Sequence, residues 1–435
     1  MIHRVIAIIG AGPSGLAAAR NLQRAGLAWE GFELADDVGG LWNIDAPRST
    51  VYESAHLISS RTTTEFTEFP MRDSVADYPS HRELHAYFRD FADHFGLRDG
   101  FRFGTEVTRV EPAAGRWSVT RVGPDGERTS TYDGVIVANG TLSEPNIPTL
   151  PGSFDGELIH TSAYKHASVF AGKRVLIVGA GNSGCDIAVD AVHHAASVDI
   201  SVRRGYHFVP KYVFGKPADT LNQGRPLPAR LKQAIDSRVL KLFTGDPVRY
   251  GFPKPDHKIY ESHPIVNSMI LYHLGHGDLR VMKDVERLDG DGVRFVDGTR
   301  EPYDLVVLAT GYRLHYPFLD PAHLNWDGRT GAPDLYLNIF GAPGLFVLGM
   351  IEASGIGWQG RYEQAELVAA YLRAQEADPG VAAAFEQRMR GPRPDLSGGY
   401  RYLGLDRMAY YVNKDAYRTT VRQEIAALQA GGTHG

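Results

Sequence analysis

Gly10, Gly12 and Gly15 stand as G-x-G-x-x-G, and the same spacing returns at Gly179, Gly181 and Gly184. Glycines at those intervals suit the pyrophosphate of a dinucleotide. The first allows a tight turn, the second lets backbone approach the phosphates, and the third lets helix and strand pack closely. A helix N-terminus that follows offers unpaired N–H groups to the anion. Glu33 ends the strand after the first turn, in WEGFE, where a carboxylate can accept ribose hydroxyls. After the second turn the matching strand ends in Arg203 and Arg204. Two guanidinium groups suit a 2′-phosphate that a carboxylate would repel. The first site therefore reads as binding FAD, and the second as binding NADPH rather than NADH. The competing readings are a strand-to-helix turn that binds nothing and a solvated strand end.

The elements needed to position these residues repeat as well. Val5–Ile9 reads as a buried parallel strand and Leu16–Arg24 as a helix; KRVLIVGAGNSGCDIAVDAVHHAASVDISVRR repeats the unit. WSVTRVGPDGERTSTYDGVIVANG follows the first unit and GVRFVDGTREPYDLVVLATG the second. Each is a β-meander with a Tyr-Asp pair (Tyr132-Asp133, Tyr303-Asp304), an apolar strand and a closing glycine, Gly140 or Gly311. The fold class is α/β: two Rossmann-like dinucleotide-binding domains of the three-layer ββα type, the second inserted into the first. The boundaries are 1–150 for the first part of the FAD domain, 151–311 for the linker and NADPH domain, and 312–435 for the return to the FAD domain and the C-terminal helices. Gly344–Met350 reads as the last strand of the first domain and Gln359–Ala374 as its last helix.

Phe154–Lys165, FDGELIHTSAYK, lies in the crossing between the domains, outside any obvious strand or helix. With its flanks it resembles the fingerprint of the flavin-containing monooxygenases, matched at Phe154, Gly156, His160, Tyr164 and Lys165. The related Baeyer–Villiger enzymes carry Trp-Pro or Trp-Asp where Tyr164 and Lys165 stand. GAGPSG, with Pro13 and Ser14, resembles the family's FAD turn, and DVGGLW, with Leu41 and Trp42, its Gly-Gly-x-Trp segment. GNSGCD, with Asn182, Ser183 and Asp186, is similar to the family's NADPH turn, and LATGY, with Ala309, Thr310 and Gly311, to its late linker. Val107, at the head of the first meander, is counted among the cofactor contacts. A linker with a fixed aromatic, glycine and histidine can pin two domains at a repeatable angle. His160 is read as part of that pin, not as an acid or base.

The resemblance implies an NADPH-dependent monooxygenase. NADPH reduces FAD, dioxygen adds to give a C4a-hydroperoxide, and a soft nucleophile, an amine nitrogen or a sulfur, takes the distal oxygen. Protein supplies orientation and a dry site, so no catalytic triad is needed. The family often places an asparagine beside the flavin, in a segment that here reads ESAHLISSRTTTEFTEFP. No asparagine occurs between Glu53 and Pro70. Ser59 or Ser60 fills the place. Ser60 is taken as the catalytic candidate, a hydroxyl that donates a hydrogen bond over a shorter reach. Two alternatives stand beside this reading: Baeyer–Villiger oxidation of a ketone, and a nucleotide-binding redox sensor without turnover.

Composition sets the bounds. The 435 residues suggest two or three domains, and 43% hydrophobic with 22% charged residues is a globular balance. A net charge of −5 gives no footprint for nucleic acid or an anionic membrane. No segment has the length and purity of a membrane span, and the N-terminus runs straight into a strand without a leader. Cys185 is the single cysteine, which suits a reducing cytoplasm and removes disulfide chemistry. The expected partners are a small-molecule substrate and dioxygen, with a homodimer as the possible assembly. His81 and His85 share one helical face as zinc pairs do, but no third ligand is evident; they read as surface histidines on a packed helix, and no metal is expected. Lys211–Pro264, rich in Pro, Gly and aromatics, reads either as the cover over the nicotinamide and substrate entrance or as a structural excursion.

Overall fold

The computed structural model describes residues 4–222, 227–328 and 330–430. Residues 1–3 of the expected N-terminal run, residues 223–226 of the Lys211–Pro264 excursion and residues 431–435 lie outside the described residues.

The chain opens with β1 (Val5–Ile9), α1 (Pro13–Arg24) and β2 (Ala28–Phe32). A four-residue α2 (Arg61–Thr64) and the longer α3 (His81–His94) lead to β3 (Phe101–Arg102). The antiparallel meander β4 (Glu106–Ala113), β5 (Arg116–Gly123) and β6 (Gly126–Tyr132) then feeds β7 (Gly134–Val137). Three short strands make the crossing: β8 (Glu144–Pro145), β9 (Gly152–Phe154) and β10 (Glu157–His160).

The plan then repeats as β11 (Arg174–Val178), α4 (Asn182–Val192) and β12 (Ser197–Ser201). The excursion holds a hairpin, β13 (Tyr212–Val213) and β14 (Lys216–Pro217), then α5 (Ala229–Thr244) and α6 (Met269–His276). β15 (Arg280–Met282) precedes the second meander, β16 (Val285–Gly290), β17 (Gly292–Phe295) and β18 (Arg300–Pro302), which feeds β19 (Leu305–Leu308). The return comprises β20 (Tyr312–Arg313), β21 (Leu345–Val347), α7 (Gly357–Ala377), α8 (Pro379–Arg390) and α9 (Lys414–Ala430).

Two five-stranded parallel sheets result, ordered β21-β7-β1-β2-β3 and β10-β19-β11-β12-β15. Their central strands are apolar runs buried on both faces, as parallel strands must be. The orders correspond position by position. The edge place that β21 fills in the first sheet is filled by β10 in the second, so the Glu157–His160 part of the fingerprint stretch is strand rather than irregular chain. Its signal in the sequence is weak because only Leu158 and Ile159 are apolar and Leu158, on the outer edge, is 44% exposed.

The Tyr-Asp pairs explain the repeated meanders. Asp133 Oδ2 accepts from the Val5 amide at 2.9 Å and Asp304 Oδ2 from the Arg174 amide at 2.8 Å, each capping the start of the neighbouring strand. Tyr132 donates to Glu30, which is also paired with Arg102. Tyr303 donates to Asp199 at 2.7 Å, which is paired with Arg280 at 2.7 Å. Each carboxylate sits at the middle of the second strand of its sheet, with tyrosine from the meander and arginine from the next strand.

Candidate functional site

Both glycine turns are built the same way. Gly10 has φ +102° and Gly179 φ +107°, and a Cβ on either would lie 2.6 Å from a carbonyl oxygen, of Ala138 or Ala309. A Cβ on Gly15 would lie 1.8 Å from the Gly10 oxygen, and one on Gly184 2.1 Å from the Gly179 oxygen. α1 starts after Gly12 and α4 after Gly181 without a side-chain cap. Their first N–H groups are thus left for an anion. Pro13 occupies the first position of α1, where no N–H is missed, and Ser14 is buried beside Gly349.

These cradles fit dinucleotides. Across the first, Gly39 and Gly40 hold positive φ, and a Cβ on Gly40 would come within 3.0 Å of the Gly12 Cα, so the mouth is bare backbone on both sides. A Cβ on Gly181 would meet nothing within 4 Å, which leaves the second mouth open. Glu33 braces the first turn: its carboxylate accepts from the Ala11 amide at 2.6 Å and the Ala35 amide at 2.8 Å. Burial raises its carboxyl pKa against those two hydrogen bonds. Leu41 and Trp42 form a single turn beside Gly40, with Trp42 edge-on to Trp358 at 6.2 Å. Val107 is buried in the core that includes Phe32 and Ile9.

In the second unit Asn182 reaches sideways. Its Oδ1 accepts from the Val266 amide at 2.8 Å and its Nδ2 donates to the Pro264 carbonyl at 3.3 Å. Half-buried Ser183 adjoins it. Asp186 faces Asn267, whose amide donates at 2.5 Å, and Tyr52, whose hydroxyl donates at 3.4 Å. Burial pushes the Asp186 carboxyl up to about 6. Arg203 is exposed, whereas Arg204 is paired with Asp256 at 2.8 Å and draws that carboxyl down to about 2.

The fingerprint joins the domains through several contacts. Phe154 pairs into the second meander through Gly290. A Cβ on Gly156 would lie 2.7 Å from the Asp304 carbonyl oxygen and equally close to the Phe154 ring. His160 Nδ1 accepts from the Ser162 amide at 3.0 Å, so Nε2 carries the hydrogen and donates to the Gly311 carbonyl at 3.0 Å. Burial lowers its pKa and keeps the ring neutral. Gly311 immediately precedes β20 of the second crossing, which pairs antiparallel with β8 of the first. Thr310 tightens that seam by donating to the Asn146 carbonyl at 2.6 Å, while Ala309 roofs the second glycine turn. Tyr164 is 2% exposed, stacks on Phe170 and donates to Asp190 at 2.8 Å. Lys165 gives its ammonium to the carbonyls of Ser49 at 2.8 Å, Val51 at 3.0 Å and Ile44 at 3.5 Å, and burial lowers its pKa. Tyr164 and Lys165 therefore hold the segment after Trp42 against α4.

Ser60 is 1% exposed and begins α2. Its amide donates to Asp219 Oδ2 at 2.7 Å and its hydroxyl lies 3.0 Å from the same oxygen. Ser59 instead bonds Thr64 at 2.7 Å. Sequence reasoning missed Asp219, Asp190, Asn146, Asp256 and Tyr52, because no local spacing marks a residue whose partner lies from 26 to 164 positions away. α3 buries Leu84, Tyr87, Phe88 and Phe91 behind a Ser80–Glu83 capping box. His81, expected at the surface, is 3% exposed, since it is the first residue of a helix whose start packs under the Ala55–Leu57 loop. Among the described residues no group of three or more His, Cys, Asp or Glu is placed to hold a metal ion, and no helix is long and apolar enough to cross a membrane.

Comparison with known proteins agrees with this geometry. The family described as flavin-binding monooxygenase-like matches residues 3–382. Flavin-containing monooxygenase 5 of Oryctolagus cuniculus is 30% identical over 388 residues, covering 82% of this chain and 70% of the relative. An open crystal structure of cyclohexanone monooxygenase superposes with a TM-score of 0.73 at 21% identity, covering 99% of this chain and 98% of the other. The S-allyl-L-cysteine S-oxygenase of Allium sativum gives a TM-score of 0.66 at 22% identity, covering 97% and 88%. At those identities the two solved structures speak for the fold alone.

Proposed function

We propose, for a chain that belongs to the flavin-binding monooxygenase-like family, that the oxygen is delivered to a soft nucleophile, the nitrogen of a small amine or the sulfur of a sulfide. The protein is a flavin monooxygenase, an oxidoreductase that uses FAD and NADPH. NADPH gives up a hydride and solvent a proton, one oxygen atom of O2 enters the substrate, and the other leaves as water. Bound FAD supplies the chemistry that passes those electrons to dioxygen.

The residues of this chain bind, orient and exclude water. We assign the Gly10–Gly15 turn, Glu33, Leu41, Trp42 and Val107 to FAD. The Gly179–Gly184 turn, Asp186, Arg203, Arg204 and the Ala309–Gly311 seam are assigned to NADPH. The division into 1–150, 151–311 and 312–435 belongs to the same reading. What supports the substrate class is the identity of the pair Tyr164–Lys165, where the Baeyer–Villiger enzymes carry Trp-Pro or Trp-Asp; here both side chains hold one domain's loop on the other's helix. Tryptophan in place of Tyr164 has no hydroxyl to give to Asp190.

The test is stopped-flow absorbance. NADPH-reduced holoenzyme is mixed with oxygenated buffer, and amines, thioethers and ketones are screened for faster decay of the oxygenated species. Amines and thioethers should accelerate the decay and yield N-oxide or sulfoxide. Ester from the ketones, with no response to amines or sulfides, sinks this reading in favour of Baeyer–Villiger oxidation. We place the protein in the cytoplasm, where its one buried cysteine stays reduced. We propose a homodimer, supported by the exposed apolar residues Leu231, Ile235, Val239 and Leu242 along one side of α5. Light scattering at twice 47.8 kDa is the expected result.

A further inference from the structure

Ser60 does not face solvent or a free acceptor; it faces Asp219. The carboxylate takes the Ser60 amide at 2.7 Å, the Ser60 hydroxyl at 3.0 Å and the Thr63 hydroxyl at 2.5 Å, all on Oδ2. An ionised carboxylate only accepts, and a serine hydroxyl has one hydrogen to give. The remaining neighbour, Thr63 Oγ1 at 3.2 Å, belongs to the same cluster and has Asp219 and, at 3.1 Å, the Ser60 carbonyl as acceptors for its own hydrogen. The Ser60 hydrogen is therefore spent within this cluster, and the hydroxyl offers only lone pairs to anything else. Ser60 does donate, and its partner in this structure is Asp219.

Asp219 comes from the other domain. It stands in the turn Ala218–Asn222 that follows the β13–β14 hairpin. The hairpin is held on the first domain by Tyr212, which donates to Asp77 at 3.2 Å, and by Tyr78, which donates to the Lys211 carbonyl. Lys211 lies over the Tyr78 ring at 5.0 Å. The second carboxylate oxygen, Asp219 Oδ1, is buried with no hydrogen-bond partner among the described residues. An unmatched buried oxygen is costly and calls for a reason other than packing.

We propose that Asp219 is a positioning residue for the flavin-side serine: docking of the hairpin fixes the Ser60 amide and hydroxyl together with the Thr63 hydroxyl, and so the start of α2. This rests on the proposed place of Ser60 beside the flavin. The experiment compares holoenzyme of wild type, Ser60→Ala, Asp219→Asn and the double variant. Hydrogen peroxide released per NADPH consumed is read together with the visible absorption band of the bound oxidised flavin. Asp219→Asn conserves volume, and Asp219→Glu, which keeps the charge, should recover part of the effect and serves if the amide variant does not fold. Each single variant should raise peroxide release by about tenfold, the scale of one charge-assisted hydrogen bond, and shift the band alike. The double variant should be no worse than Ser60→Ala. Additive effects overturn the proposal, because Asp219 would then act independently of Ser60. Asp219 variants indistinguishable from wild type while Ser60→Ala departs overturn it and leave the serine's place intact. No change in Ser60→Ala overturns both.

Discussion

Arg203 and Arg204 are neighbours in sequence with different surroundings. Arg204 is already paired with Asp256, whereas Arg203 has no ion-pair partner among the described residues. A 2′-phosphate would meet one free guanidinium and share the other with a carboxylate. Replacing both with alanine should raise KM for NADPH by roughly 10- to 100-fold, the worth of two charge-assisted contacts, with NADH kinetics unchanged. An equal loss with NADH would remove the 2′-phosphate assignment. Asp186 makes a pH prediction. Its folded carboxyl is raised to about 6 from the ordinary 3.8. The folded state thus holds a proton that the unfolded state has lost between those values, and stability falls as pH rises through that window. Asp186→Asn cannot ionise, so its stability relative to wild type should increase between about pH 4 and 6 and level off above. The gain is on the order of 3 kcal/mol. Urea unfolding of both proteins at pH 4 and pH 7.5 checks it; an identical difference at the two pH values refutes it.

At the scale of elements, glycine is demanded where strands and turns meet. Gly156 has no unusual φ, yet a Cβ would press on the Asp304 carbonyl and the Phe154 ring at 2.7 Å. The backbone here passes directly over the end of the second meander, where the Glu157 amide bonds the Asp304 carbonyl at 3.0 Å. Gly156→Ala must therefore displace Phe154 or open the β10 edge. We expect a loss of about 1–3 kcal/mol by thermal or chemical denaturation, the usual cost of overpacking. A variant as stable as wild type would mean that β10 moves freely. The paired meanders are fastened by long-range staples instead: Tyr132–Glu30–Arg102 in one, Tyr303–Asp199–Arg280 in the other. Their tyrosines are visible in sequence as a repeat, but the acids and arginines they select are not.

Across the whole molecule, the two domains are joined by more than two crossings. The C-terminal stretch from Leu396 to Asn413 lies beyond the matched family residues and runs from the first domain onto the excursion of the second. Leu403 bonds the Glu261 carbonyl at 2.9 Å and Arg407 bonds Ser262 at 3.1 Å. The Tyr411 hydroxyl sits between Ser354 at 3.1 Å and His263 at 3.3 Å, one from each domain. Tyr411→Phe removes that shared hydroxyl. It should cost about 1 kcal/mol and speed hydrogen–deuterium exchange in residues 259–265 and 396–413 together. Faster exchange in only one of the two segments would show that the strap does not couple the domains.

The glycine intervals, the β-branched strands before them and the repeated Tyr-Asp meanders determined the α/β class and two dinucleotide units, because backbone sterics and strand burial are local demands written in local residues. The fingerprint's residue types were legible for the same reason, as an aromatic over a glycine and a histidine near a crossing. Only the tertiary structure decided what those residues touch. It made ELIH, Glu157–His160, an edge strand, because its partner β19 begins at Leu305, far along the chain. It gave the His160 hydrogen to Gly311, turned Asp186 towards Tyr52 and Asn267, and spent the Ser60 hydrogen on Asp219. A hydrogen bond is set by a few ångströms and an angle, and no spacing along a single chain encodes which distant group will arrive at that distance.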